Sequence, residues 1–229
     1  MRLYKNYPRK LFKMFNVLIR PKSSYEMWAD RSEHEVKDGY TQYSQELSNT
    51  YLFNQISNLK ITSCLEIGCA AGTRIFPLAS KLNNCHFTGI DINSYAIRLA
   101  DEYKDVKNVS NTRFELNNIL DLNQSKFHYE LVFCWATLIY ISPADIKRAL
   151  LNISNLSTNY ILLLEKAFNE KDSVVRKILM QIKGFPNWTH NYKKLLSSAF
   201  TLVAEDDIPK DVWLPGGGGA KLMLFKRSS

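Results

Sequence analysis

From about Lys60 onward, short apolar runs alternate with stretches of helical spacing, and this restricts the chain to α/β folds built on a largely parallel sheet. Residues 61–68 (ITSCLEIG), 86–92 (HFTGIDI), 111–118 (NTRFELNN), 129–137 (YELVFCWAT) and 159–168 (NYILLLEKAF) read as successive strands. Residues 73–82 and 94–104 carry helical patterns between them. Ser142-Pro143 opens a further helix, with Pro143 near its first position and Asp145 in its first turn. The fourth run is strongly apolar and is expected at the centre of the sheet, because strands covered on both faces need apolar residues on both. The third is less apolar and is expected nearer an edge.

The two ends of the chain have a different rhythm. Helical material from about 172 to 198 precedes FTLVAED (200–206), a Pro-Gly-Gly-Gly-Gly-Ala segment (215–220) and KLMLFKR (221–227). Two strands joined by turn-forming residues predict an antiparallel hairpin that closes the sheet. The glycine run lacks the Lys-Ser/Thr and the following helix of a phosphate-binding loop, so it is read as a flexible hairpin connection. Residues 23–59 are mainly helical and amphipathic, with Tyr25, Trp28, Tyr40, Tyr43 and Tyr51 at irregular spacing. They are expected to pack as a lid over the carboxyl edge of the sheet, most of these aromatics serving as packing residues.

Charge separates a third segment. Arg2, Lys5, Arg9, Lys10, Lys13, Arg20 and Lys22 precede the first acidic residue, Glu26; without these seven of the 30 basic residues, 23 remain against 22 acidic ones. Residues 1–22 are thus a basic arm on a nearly neutral body, and the net charge of +8 is no argument for nucleic acid as a partner. The arm also carries Leu11, Phe12, Met14, Phe15, Val17, Leu18 and Ile19. Two readings stand side by side: peripheral contact with an anionic membrane, or an amphipathic helix packed on the body. No apolar run approaches the ~20 residues that span a bilayer, and no small-residue cleavage site follows the arm. The expected location is cytoplasmic, with the inner membrane surface as the arm's alternative. Cys64, Cys69, Cys85 and Cys134 form no C-x-x-C pair, and His34, His86, His128 and His190 are scattered, so no metal is expected.

The chemistry concentrates in Cys64–Gly72, CLEIGCAAG, a glycine turn after the first strand. Its spacing, G-C-A-A-G, fails the G-x-G-x-x-G of dinucleotide sites. Glu66, just before the turn, would repel a diphosphate and suits a ligand that carries positive charge. Simpler roles are open at the same point: Glu66 capping the turn, and Asp91 starting the helix that follows the second strand.

The segment resembles the first motif of the class I S-adenosylmethionine-dependent methyltransferases, [D/E]-x-G-x-G-x-G, with Glu66, Gly68 and Gly72 matching and Ala70 in place of the middle glycine. Asp91 ends the second strand twenty-three residues after Gly68, where a carboxylate accepts hydrogen bonds from ribose hydroxyls. Asn118 stands where the family often has an aspartate that meets the adenine amino group, and its side-chain oxygen can accept the same bond. Residues 129–146 resemble the fourth motif, with Glu130 in place of the usual aspartate. The resemblance covers about 60–168. It implies a Rossmann-like seven-stranded mixed sheet, mostly parallel with an antiparallel terminal hairpin and helices on both faces, over a domain of residues 60–229. The cofactor it implies is S-adenosyl-L-methionine, with S-adenosyl-L-homocysteine as product. Its expected contacts are Glu66, Gly68, Cys69, Gly72, Asp91, Ile92, Asn118 and Ile119, the two isoleucines flanking the adenine, with Trp135 packed beside it.

An alcohol acceptor benefits from a general base, whereas an amine need only be neutral. Candidate catalytic residues are Tyr140, where many small-molecule and sugar methyltransferases carry a histidine, His190, and Glu165 at the end of the fifth strand. Tyr140 is suited to orienting an acceptor rather than deprotonating it. The chain lacks the [D/N]-P-P-[Y/F] of amino-methylating DNA enzymes, a Pro-Cys nucleophile and the double-glutamate loop of arginine methyltransferases. The resemblance therefore implies a small-molecule acceptor, a sugar, lipid-linked glycan or other metabolite. O-methylation is the first expectation and N-methylation of an amine or amino sugar the alternative. A catalytically silent, cofactor-binding partner subunit is a further one, and a nucleic-acid-binding protein using the basic arm a third. The oligomeric state is not readable from the chain.

Overall fold

The computed structural model describes residues 24–41, 46–124, 127–166, 188–213 and 219–228. The basic arm (1–22), Tyr43, the 172–187 part of the expected helical stretch and glycines 216–218 lie outside the described residues. The strands are β1 (Ser63–Ile67), β2 (His86–Asp91), β3 (Thr112–Leu116), β4 (Tyr129–Trp135), β5 (Ser157–Lys166), β6 (Phe200–Asp207) and β7 (Ala220–Arg227). They form one seven-stranded sheet in the order β3-β2-β1-β4-β5-β7-β6. Pairings from β3 through β5 are parallel, while β7 runs antiparallel to both β5 and β6. This is the expected Rossmann-like mixed sheet, with β3 at an edge, β4 inside and the terminal hairpin in place.

The helices are α1 (Ser24–Ala29), α2 (Glu33–Thr41), α3 (Glu46–Ile56), α4 (Ile75–Lys81), α5 (Ser94–Lys107), α6 (Ile146–Leu156) and α7 (Tyr192–Leu196). Period-two alternation sorts the strand residues between two cores. Leu131, Phe133 and Trp135 of β4 join Leu52 and Ile56 of α3 and Phe76 and Leu78 of α4 on one face. Val132 and Cys134 join α6 and α7 on the other. On α6, Ile146, Ala149, Leu150, Ile153 and Leu156 are buried, a 3.6-residue stripe in which each Leu or Ile contributes about 1.5–3 kcal/mol.

Three boundaries differ from expectation for local reasons. β1 begins at Ser63: the Thr62 carbonyl still accepts the His86 N–H at 2.8 Å, but its own N–H and hydroxyl go to Glu130 Oε2, at 2.5 and 2.9 Å. α5 continues to Lys107 and stops where Asn108 adopts a left-handed conformation (φ +51°). α6 starts at Ile146 rather than near Pro143: Ser142 closes a turn by accepting N–H bonds from Asp145 and Ile146, both 3.0 Å, and by donating its hydroxyl to Asp145 Oδ2 at 2.8 Å. Asp145 is therefore the N-cap residue and not part of the first turn.

From β1 the chain moves outward to β2 and β3, then returns to β4 on the other side of β1. That reversal opens a crevice at the carboxyl ends of β1 and β4, the place where open α/β sheets bind ligands.

Candidate functional site

Gly68 and Gly72 (both φ +73°) and Ala70 (φ +54°) form the turn after β1. A Cβ on Gly68 would lie 2.4 Å from Thr137 Oγ1, and one on Gly72 2.7 Å from the Phe114 ring, so both glycines are required by space as well as conformation. Ala70 has no such freedom. Its left-handed conformation is held by Asp91, whose Oδ2 accepts the Ala70 N–H at 2.9 Å, against a cost of about 1–2 kcal/mol. After β4, Ala136 is left-handed too (φ +53°), so both strands at the crevice end in a strained alanine.

Three carboxylates lie near this edge in different states of satisfaction, Glu66 and Glu165 buried and Asp91 half-buried. Asp91 bridges the β1 turn to α5: besides Ala70 it takes the Asn93 N–H on Oδ1 at 2.9 Å. Burial nevertheless raises its pKa, opposed by the N–H groups of Asn93, Ala70 and Ile92. Glu165 is fully buried, with Oε1 accepting the N–H groups of Thr137 (2.8 Å) and Leu138 (2.9 Å) and Oε2 that of Ile139 (3.3 Å). Burial pushes it up to about 7 despite those donors and the Arg74 charge. Among the described residues Glu66 has no hydrogen bond to either buried oxygen, so it does not cap the turn. Burial pushes it up to about 8, with Arg74 opposing and Asp91 reinforcing the shift. The nearest cation contact is the Arg74 Nη1, 3.8 Å from Oε1.

The other expected residues fall in several settings. Trp135 closes the β4 end, stacked on Trp213 (centroids 6.0 Å apart) with the Arg74 guanidinium 4.7 Å from its ring centroid. Its buried indole Nε1 has no hydrogen-bond partner among the described residues. Asn118 Oδ1 accepts the Leu120 N–H at 3.0 Å, leaving its second lone pair. Ile119 is buried, and Ile92 partly so. Cys69 is completely buried, and its N–H donates to the Ile90 carbonyl at 3.0 Å.

The candidate catalytic residues are joined through one segment. Tyr140 ends a single 3-10 turn, Leu138–Tyr140, whose leading N–H groups are those held by Glu165. Its phenol is shifted up by burial and by Glu165, with Arg31 opposing. It is therefore protonated at neutral pH. His190 is buried with Nε2 3.0 Å from the Ile141 carbonyl, so Nε2 carries a proton and donates it. Burial lowers its pKa, against the backbone of Ile141 and Leu138. Trp188 N–H, bonded to the Ile139 carbonyl at 2.7 Å, completes the clasp on this segment.

Sequence reasoning missed the residues that tie the N-terminal helices to this edge. Asn93 caps α5 through Ala96 N–H (2.9 Å) and donates Nδ2 to the carbonyls of Trp28, Ala29 and Arg31 at 2.9, 3.3 and 3.0 Å. Trp28 then meets Tyr140 at 4.7 Å between centroids, with Arg31 over its ring at 4.1 Å. An Asn immediately before a helical pattern signals a cap, but nothing local signals a partner more than sixty residues away. Arg74 was missed as well. Its place two residues beyond the last glycine was the available signal.

A family model described as a methyltransferase domain matches residues 59–199. Among curated proteins, the uncharacterized protein RP789 of Rickettsia prowazekii (strain Madrid E) is 26% identical over 132 residues; the match covers 53% of this chain, which spans 24% of that relative's length. Among solved structures, the N-methyltransferase NodS of Bradyrhizobium japonicum WM9, in complex with S-adenosyl-L-homocysteine, superposes with a TM-score of 0.63 at 18% identity, covering 90% of this chain and 97% of NodS. An O-methyltransferase family protein of Burkholderia thailandensis gives a TM-score of 0.70 at 13% identity, covering 96% of this chain and 69% of that one. At such identities these two establish the fold alone.

Proposed function

The chain belongs to the methyltransferase-domain family, and from that premise we propose that it is an S-adenosylmethionine-dependent methyltransferase for a small-molecule acceptor. The observation that carries the cofactor is Glu66, a buried carboxyl group with no hydrogen bond to either oxygen among the described residues, beside the left-handed turn. A buried carboxyl in that state keeps its proton up to about pH 8 and ionises when a cationic donor group arrives, and an α-ammonium fits. Asp91 keeps lone pairs for ribose hydroxyls beyond its backbone bonds, and Asn118 keeps one for the adenine amino group. Ile92 and Ile119 would flank the base, Gly68 and Gly72 admit close backbone approach, and Trp135 forms the wall.

When bound, the cofactor supplies a methyl group on a sulfonium, open to in-line displacement, so positioning provides much of the catalysis. Tyr140 is assigned to the acceptor, its protonated phenol orienting it by hydrogen bonding. Glu165 and His190 are assigned to holding residues 137–141 in place, since each is engaged with that backbone. With both candidate bases so engaged, the geometry favours a neutral amine acceptor over the hydroxyl expected first. Residues 60–229 are taken as the catalytic body, 23–59 as its lid and 1–22 as a separate arm.

The test is a melting shift of the full chain with S-adenosylmethionine or S-adenosylhomocysteine, for wild type and Glu66→Ala. A clear wild-type shift that the variant loses is expected; no wild-type shift at millimolar ligand refutes the cofactor. A methyl-transfer panel of matched amines and alcohols follows. Turnover of alcohols alone would reverse the acceptor preference, and binding without any turnover would favour a silent partner subunit.

A further inference from the structure

The amino-acid end of the proposed cofactor is a zwitterion. Glu66 accounts for its ammonium, while its carboxylate has no assigned partner. Arg74 stands at the N-cap of α4 with a side chain only 14% exposed, its guanidinium fixed between Glu66 and the face of Trp135. At 3.8 Å the Arg74–Glu66 contact is an ion pair and not a hydrogen bond, so it leaves both Glu66 oxygens unsatisfied. A buried ion pair whose members do not hydrogen-bond each other gains little by itself, because desolvation offsets its attraction. A third group with one charge of each sign gives Glu66 the donor it lacks among the described residues and adds an acceptor for the guanidinium.

We propose that Arg74 and Glu66 together form the receptor for the amino-acid end of the adenosyl ligand, with Arg74 binding its α-carboxylate. The inference rests on the cofactor reading above. Glu66 takes the ammonium, the guanidinium takes the carboxylate, and Trp135 restrains the guanidinium by stacking under it. The opposite arrangement makes Arg74 an internal counter-ion that a ligand must displace, and the two differ in the sign of a mutation.

Calorimetric titration of the full chain decides between them, using S-adenosylhomocysteine, its decarboxylated analogue and 5′-methylthioadenosine, which lacks the amino-acid end. Arg74→Ala is expected to weaken S-adenosylhomocysteine binding by about 10- to 100-fold. Binding of the other two ligands should change less than about twofold, which also shows that the variant is folded. Arg74→Lys, keeping the charge without the fork, should fall between. Equal losses for all three ligands would assign Arg74 to shaping the Trp135 wall and overturn the proposal. Tighter or unchanged S-adenosylhomocysteine binding to Arg74→Ala would overturn it too, while leaving the cofactor reading intact. If wild type binds neither S-adenosylhomocysteine nor methylthioadenosine, the cofactor reading falls and this inference with it.

Discussion

Replacing Glu66 by glutamine should make the ligand-free protein more stable in mild alkali and a poorer binder at the same time. Glu66 ionises at about 8 in the folded protein against an ordinary 4.5, a difference equivalent to about 5 kcal/mol. Between those values the folded state holds a proton that the unfolded chain has released. The contribution is therefore fully present below pH 4.5 and lost as pH rises through about 8, at up to about 1.4 kcal/mol per pH unit. Glu165 has the same sign over the window from 4.5 to about 7. Wild type should thus lose stability across both windows, and Glu66→Gln should remove one proton's share of the slope. Near pH 5 the two proteins should match, since glutamine mimics the neutral acid. At pH 8 the variant should be more stable by about 2–5 kcal/mol, allowing for water entry that softens the full penalty. Urea denaturation followed by tryptophan fluorescence at four pH values between 5 and 8 measures this directly. A variant less stable than wild type at pH 8, or one whose slope runs parallel to it, refutes the reading of Glu66 as an unsatisfied buried carboxylate.

Ala70→Gly should relieve the left-handed alanine at φ +54°, stabilising by about 0.5–1 kcal/mol or a few degrees in Tm; a fall in Tm would contradict the strain. Glu165→Ala leaves three buried N–H groups without their acceptor and should cost about 3 kcal/mol or more in urea titration. Glu165→Gln, which can keep the Oε1 pair, should cost less, and equal losses would argue against the assigned contacts. Asn93→Ala removes the α5 cap, worth about 1 kcal/mol, and frees the carbonyls of Trp28, Ala29 and Arg31. Amide exchange over 26–36 should accelerate relative to the sheet, and unchanged protection there would remove Asn93 as the latch on the N-terminal helices.

What could be read in advance divides along the range of the interactions. Strand order and the hairpin were accessible because each strand writes its own apolar run and glycine turns write their own breaks. The spacing of Glu66, Gly68 and Asp91 was accessible for the same reason, being confined to one β-turn-α-β unit. The states of the carboxylates were not. Glu165 and Glu66 both end apolar strands and look alike in sequence, yet one meets three N–H groups from a turn about twenty-seven residues earlier and the other meets none. The start of α6 was misplaced because the Ser142 carbonyl takes the Asp145 N–H in a turn of its own, with the Ser142 hydroxyl on the Asp145 carboxylate, and periodicity registers neither bond.

That contrast separates supporting groups from receiving ones. Burial alone would nominate Glu66 and Glu165 equally, with half-buried Asp91 behind them, and desolvation shifts all three upward. Their hydrogen bonds distinguish them. Glu165 fixes the turn that carries Tyr140, and Asp91 fixes the strained Ala70, so each has a structural use that requires no ligand. Glu66 has no such use among the described residues. It loosens the folded state as it ionises, and Arg74 at 3.8 Å compensates only in part. A group that is costly to the empty protein and cheaply satisfied by a cation is the one whose charge a ligand can repay. The site's function is therefore concentrated where its own stability is weakest.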